Sequence, residues 1–341
     1  DEYLLTMLGD INNEYFCDDW VAFYTLAKSD SLYQCYKDFD EIIDEVIDFF
    51  KFADLEIIQT FSASRLSTAK RRQTSLTIFK SFIDSNTLQI DLITSKKLKE
   101  YVEFLTRKVY APATIINAIS DIRVIFNAAK DFYNDEELGI IKIPTSPFKK
   151  FVMPPHREAK KKNLSIEQIK KIRDLDLKAD ADSLARDIFM LSFYMCGINA
   201  NDLYDYMIDP AISRLDYTRN KTKGERKDNA FISVMVIDEA RPLVEKYAVL
   251  LKIRFKKTAN LNNRLSLSLS KIIGPAIGIQ DLTYYHARHS FATLARNTCR
   301  FSMDDVGAAL NHKSSTITDI YVAKDWSIID EVQRKVVERL K

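Results

Sequence analysis

Apolar residues recur at helical spacing through most of this chain and alternate at strand spacing in one short stretch. SLYQCYKDFDEIIDEVIDFFKFA predicts an amphipathic helix in an acidic N-terminal region, residues 1–55. RLSTAKRRQTSLTIFKSFIDSN predicts the next, with Ser67 or Thr68 as cap and a stripe through Leu76, Phe79, Phe82 and Ile83. LITSKKLKEYVEFLTRK follows, with Thr94 or Ser95 at its start, then APATIINAISDIRVIFNAAKDFYND, whose beginning Pro112 and Thr114 mark. Together they predict a helical bundle over 56–145. The stretch IPTSPFKKFVMPPHREAKKKN holds four prolines, many cations and little periodicity, and predicts an interdomain linker over 146–163. A last domain, 164–341, opens with a capping box, Ser165 and Gln168, and continues with the strongly apolar helix ADSLARDIFMLSFYMCG. SRLDYTRNKTKGERKDNAFISVMVI predicts a β-hairpin turning at Lys223 and Gly224, with a strand from Phe231 to Ile237. Helices are predicted in LTYYHARHSFATLARNT, MDDVGAALNH, the tyrosine-bearing stretch after it, and SIIDEVQRKVVERLK. The expected fold is mainly α with a small β-hairpin in the last domain.

Charge changes this picture. The chain's net charge is +2, yet residues 1–55 carry fourteen Asp and Glu against three Lys, leaving the rest at +13. A basic body suits a polyanion, and the acidic segment suits protein contact or shielding better than phosphate. The candidate phosphate-facing cations are Lys70, Arg71 and Arg72 in the first turns of a helix. Lys149, Lys150, Lys160, Lys161 and Lys162 in the linker join them. A solvated helical bundle with ordinary surface lysines is the plainer reading of the same residues. Cys17, Cys35, Cys196 and Cys299 lack CxxC spacing, and with four histidines no metal site is expected. No run approaches a membrane span and no signal peptide is visible, so a cytoplasmic protein is expected.

The candidate chemistry lies near the end. NHKSSTITDIY puts His312 nine positions before Tyr321, a spacing that alone fits packing and surface residues equally well. Lys221 in the hairpin and Arg288 in YYHARHSFAT alter the balance. A phenolic oxygen attacking a phosphodiester needs charge neutralised on the nonbridging oxygens, which guanidinium does with paired donors. It also needs a proton for the departing sugar oxygen, which a lysine can give. The phosphotyrosyl link conserves the energy of the broken bond, so neither ATP nor metal is required.

ARHSFATLARN, NHKSSTITDIY and the upstream KT of the hairpin resemble the catalytic boxes of the tyrosine recombinase (phage integrase) family. The likeness covers about 164–331 and extends more loosely to the bundle, which would be the core-type DNA-binding domain. It implies Tyr321 as nucleophile, Arg288 as the second arginine, His312 at the His/Trp position and Lys221 as the hairpin lysine. Lys223, Arg226 and Lys227 share that hairpin, and Lys223 is the alternative to Lys221. Two positions depart. Asn199 in CGINANDLY stands where the first arginine is expected, and Arg219 is the candidate substitute. Tyr285 stands where the first histidine of His-x-x-Arg belongs, while His286 points about 100° away around the helix. Asn311 takes a usual glycine position, and His289 either braces the site or packs. These departures look most like integrases of Bacteroides-type mobile elements.

The implied function is site-specific DNA strand exchange on double-stranded attachment sites without a cofactor. A monomer or weak oligomer in solution would become a tetramer on DNA, with accessory DNA-bending or directionality proteins as candidate partners. The alternatives are a catalytically impaired DNA-binding regulator of recombination sites, a topoisomerase using the same phosphotyrosine, and an unrelated helical scaffold.

Overall fold

The structure is a computed structural model that describes residues 46–63, 65–155, 162–224, 226, 228–312 and 325–341. The acidic stretch 1–45, Lys160, Lys161, Lys227 and Tyr321 lie outside the described residues. The chain divides into two compact units, Asp1–Ala159 and Lys160–Lys341. Among the described residues the fold is mainly helical with two small antiparallel sheets. None of the described helices is long and apolar enough to cross a membrane.

The first unit is built from α1 (Phe49–Ser62), α2 (Leu66–Ile83), α3 (Ser95–Arg107) and α4 (Pro112–Tyr133), followed by the short hairpin β1 (Asn134–Asp135) and β2 (Ile140–Ile141). Asp48 caps α1, accepting from Phe50 N at 2.9 Å and from Leu88 N at 3.2 Å. The boundary expected between residues 55 and 56 falls inside α1. Asp48 and Asp54 are half-buried, Asp54 pairing with Lys80 at 3.0 Å, while Phe49, Phe50, Phe52 and Ala53 enter the bundle core. Phe79 and Tyr101 sit at the centre of that core with ring centroids 4.8 Å apart. Helix α2 begins at Leu66 after Arg65, with no side-chain cap, so Ser67 and Thr68 lie in its first turn. Thr94 caps α3 and Pro112 opens α4. The first half of the expected linker packs onto this unit: Phe151 is buried in its core, with Phe148 and Met153 against it. Ser95 Oγ donates to Pro147 O at 2.5 Å.

The second unit runs α5 (Ile166–Arg173), α6 (Asp180–Tyr194), α7 (Ala200–Tyr206), β3 (Arg214–Thr218), β4 (Phe231–Met235), α8 (Arg241–Tyr247), α9 (Leu250–Arg254) and α10 (Thr258–Ser268). Then come α11 (Tyr285–Thr293), α12 (Met303–Ala309) and α13 (Trp326–Glu338). Wider turns of helix extend α10 over Leu269–Ile273 and α11 over Leu294–Thr298. The capping box of α5 forms: Gln168 N donates to Ser165 Oγ at 3.2 Å, and Ser165 N to Gln168 Oε1 at 2.9 Å. Helix α6 is buried through its second half and forms the core's axis, Phe193 meeting Phe291 of α11 at 5.9 Å. The hairpin β3–β4 pairs Arg214 with Met235 through Thr218 with Phe231, so Leu215, Tyr217, Ile232 and Val234 are buried.

The last helix packs on its own unit. Ile329, Val332, Val336, Val337 and Leu340 enter the core. Arg214 grips Asp330 with two hydrogen bonds, at 2.7 and 3.1 Å. Gln333, fully buried, donates from Nε2 to Tyr194 O at 2.7 Å and to Met235 O at 2.9 Å, tying α13 to both α6 and β4. Arg173 and Lys170 of α5 donate to the carbonyls of Leu340 and Lys341. Replacing Gln333 by Leu leaves two buried carbonyls without these donors. It is expected to cost about 1–3 kcal/mol, read as a lower urea midpoint at an unchanged m-value.

Candidate active site

Two helix ends and one helix face make the site. Helix α6 ends in a left-handed turn, Cys196 at φ +57° and Gly197 at φ +73°, closed by Gly197 N donating to Ser192 O at 2.7 Å. A Cβ on Gly197 would stand 2.7 Å from the Cα of Arg288, so only glycine lets α11 come this close. The guanidinium of Arg288 is buried at 5% exposure and donates to Gly197 O at 3.0 Å and to Leu310 O. Burial, and then the nearby Arg219, work against its charge.

Leu310 caps α12, and the two residues beyond it complete a Schellman turn. Asn311 N donates to Ala308 O at 2.9 Å, and His312 N to Gly307 O at 2.8 Å. Asn311 takes the left-handed position at φ +52°, which asparagine tolerates better than most side chains. His312 is thereby delivered, accessible to solvent, beside the buried Arg288. Partial burial and then Arg288, Arg219 and Arg226 hold its imidazole below the ordinary histidine value. Its neutral form is therefore favoured near neutrality.

The hairpin supplies the remaining cations. Arg219, half-buried just past β3, brings Nη1 to 3.5 Å from Asn311 O, while its buried Nε finds no acceptor among the described residues. Asn199, at the first-arginine position, precedes α7. Its carbonyl accepts Leu203 N at 2.9 Å and its side chain neighbours the buried carboxylate of Asp202. Asp202 also accepts Asn220 N at 3.0 Å, fixing the hairpin loop one residue beyond Arg219. Lys221 and Lys223 are exposed on that loop, and Lys223 Nζ lies 3.3 Å from Asn220 Oδ1.

Residues 48–138 match the phage integrase SAM-like domain. A tyrosine recombinase XerC from Herpetosiphon aurantiacus is 24% identical over 272 residues, 75% of this chain and 84% of that protein. The chain is thus similar to phage integrases over its first unit and, more distantly, to a tyrosine recombinase. Solved structures share its fold. A Tn1549 transposon integrase in complex with transposon right-end DNA superposes with a TM-score of 0.51 at 15% identity, over 86% of this chain and 99% of that one. The same integrase with a circular-intermediate DNA gives 0.50 at 14% identity, over 87% and 100%.

The remaining candidate residues lie as follows. Tyr285 is 43% exposed and its ring stands edge-on to His289, centroids 4.7 Å apart. Burial, then Lys162 and Arg288, lower the His289 pKa. His286 turns away from the site: Thr283 N donates to its Nδ1 at 3.0 Å. In the first unit, Arg72 is spent internally, on Glu56 at 3.0 Å and Thr60 at 2.5 Å, and is only 13% exposed. It is therefore placed for holding α2 to α1 and not for phosphate. Arg71, half-exposed, pairs with the buried Asp121 at 2.9 Å. Lys149, Lys150 and Lys162 are exposed, as is Lys70.

Arg226 is the residue that sequence reasoning passed over. It was visible only as one cation among several on the hairpin. Its Nη1 reaches Asn311 O at 3.1 Å and Oδ1 at 3.0 Å, across 85 positions of sequence, which no local pattern signals.

Two outcomes check this geometry. Gly197→Ala is expected to lower stability by about 1–3 kcal/mol through its left-handed backbone and its clash with Arg288, read as a drop in Tm. In the protein free of ligand, His312 is expected to titrate below the ordinary value of about 6.5. Arg219→Gln should move it upward by removing one positive neighbour, read by NMR titration of the ring.

Proposed function

We propose that this chain is a site-specific DNA recombinase that cleaves and rejoins double-stranded DNA through a 3′-phosphotyrosyl intermediate. The observation that carries the reading is the cluster of Arg288, Arg219 and His312 around one helix-end turn, nine residues ahead of Tyr321. Like charges gathered at one half-buried place are costly without an anion, and a scissile phosphate offers two nonbridging oxygens to fill it.

In this reading the Tyr321 hydroxyl gives up its proton to solvent as its oxygen attacks phosphorus, and the 5′-oxygen leaves, taking its proton from Lys221. Lys223 remains the alternative donor. Arg288 and Arg219 carry the charge that develops on the phosphoryl oxygens. Arg219 thus supplies the guanidinium that Asn199 lacks; its buried Nε has no acceptor among the described residues. His312, neutral, and the Tyr285 hydroxyl are further hydrogen-bonding groups. The free 5′-hydroxyl of a partner duplex then attacks the phosphotyrosyl link and reverses the step. Exchange of two duplexes implies a DNA-bound tetramer. Accessory DNA-bending proteins and a mobile-element host, of the Bacteroides type or another, belong to the same proposal, as does a cytoplasmic location. Lys70, Lys149, Lys150 and Lys162 are the exposed cations we assign to the DNA backbone, with Lys160 and Lys161 beside them in sequence and Arg71 at the edge of the set.

A second reading, a DNA-binding regulator without cleavage, rests on Asn199 lying beside Asp202. The two separate on suicide substrates carrying the attachment core, incubated without added metal and resolved on denaturing gels. A recombinase gives a covalent protein–DNA adduct that Tyr321→Phe abolishes. Arg219→Gln should slow it roughly 100- to 1,000-fold, as loss of one transition-state donor does. Tight specific binding without an adduct, with partner protein and both sites supplied, favours the regulator.

A further inference from the structure

Arg226 lies between the hairpin and the His312 turn, and both of its edges are occupied. Its Nε and Nη2 grip the Asp228 carboxylate at 2.8 and 2.6 Å, while Nη1 donates to both oxygens of Asn311. Asn311 is itself buried, and its Nδ2 donates to Ala230 O at 2.7 Å. The arrangement fixes the amide's orientation. Arginine only donates and a carbonyl only accepts, so Oδ1 must face Arg226 and Nδ2 must face Ala230.

The backbone on the hairpin side needs such a hold. Asn229 and Ala230 are consecutive left-handed residues, at φ +51° and +52°, and neither is glycine. Such backbone persists where its surroundings over-determine it. Ala230 O accepts Arg219 N at 3.1 Å as well as the Asn311 amide, so one strained peptide joins the start of the hairpin loop, which carries Arg219, to the turn that carries His312. With Asp228 balancing its charge, Arg226 has little left to offer a phosphate. Its geometry is that of a bracket.

We infer that Arg226 and Asn311 form a clasp that sets His312 against Arg219 and the lysine-bearing hairpin, making Arg226 a positioning residue for strand cleavage. The inference rests on the recombinase reading above. The clasp also gives the asparagine at position 311 a purpose. Glycine would satisfy the left-handed backbone alone, whereas asparagine satisfies it and cross-links the hairpin.

The test is a double-mutant cycle of Asn311→Gly and Arg226→Gln on the suicide substrate, with adduct formation followed against DNA concentration. Asn311→Gly suits the φ of +52° and preserves the turn. Each single change is expected to slow the maximal rate roughly 10- to 100-fold through misplacement of His312. The half-saturating DNA concentration should stay within about two-fold, and the double variant should be no slower than the slower single. Arg226→Lys keeps the charge without the planar fork, should fail to rescue the rate, and replaces Arg226→Gln if that variant does not fold. Wild-type rates in both singles, losses that multiply, or losses confined to DNA affinity overturn the clasp. A readout without DNA separates its failure from that of the recombinase reading. Both singles should shift the NMR resonances of the His312 ring and raise its pKa, whether or not any adduct forms. An unmoved His312 in Asn311→Gly overturns the clasp, whereas a wild-type protein with no adduct, or an adduct that survives Tyr321→Phe, overturns the recombinase reading instead.

Discussion

The second unit is organised around one buried positive charge. Arg288 is almost wholly removed from water, and among the described residues its guanidinium donates to two backbone carbonyls, Gly197 O and Leu310 O. Both lie just past the C-terminal ends of helices, where unpaired carbonyls concentrate partial negative charge. Two helix termini thus do for Arg288 what a carboxylate would do for an ordinary buried arginine, without cancelling its charge. This constraint dictates much else. The α6 terminus must turn left-handed, residue 197 must be glycine for α11 to approach, and α12 must end where it does.

A site built this way keeps its cations in reserve. Carboxylates near it are already turned to other work: Asp202 accepts from the hairpin backbone and Asp228 holds Arg226. The result is a half-buried region where guanidinium groups repel one another and a neighbouring imidazole is kept neutral. Preorganised charge of this kind costs stability in the free protein and returns it when an anion arrives.

Local signals carried far into this structure. The Ser165–Gln168 box, the proline at the head of α4 and the apolar stripe of α13 each depend on neighbours within a few positions, and each formed as its residues implied. Strand β4 formed too, but ends at Met235 instead of Ile237 and buries Ser233 along with Ile232 and Val234. What failed to show was non-local. The step in charge near residue 55 looks like a border, yet α1 runs across it, with four aromatic and alanine side chains in the bundle core. Arg72 looks like a phosphate ligand until Glu56, sixteen positions away on another helix, claims it. Among the candidate residues, Arg288, His312 and Tyr321 stood out through their spacing and the motif resemblance. Arg219 was reached only by asking what could stand in for Asn199. The Arg226 contact, joining segments distant in sequence, has no signature along the chain.

The docking of α13 has a consequence for the order in which the protein is made. The described core of the first unit lies within residues 46–155, so all of it is synthesised before the second unit begins. The second is tied together across its length. Its opening helix α5 is stitched to the carbonyls of Leu340 and Lys341, and its central helix α6 has Tyr194 O bonded to Gln333. At a synthesis rate of about 5–20 residues per second, a nascent chain therefore spends seconds with α6, the hairpin and α11 present but unsealed. The cation cluster that those elements assemble is sealed only once α13 has been made.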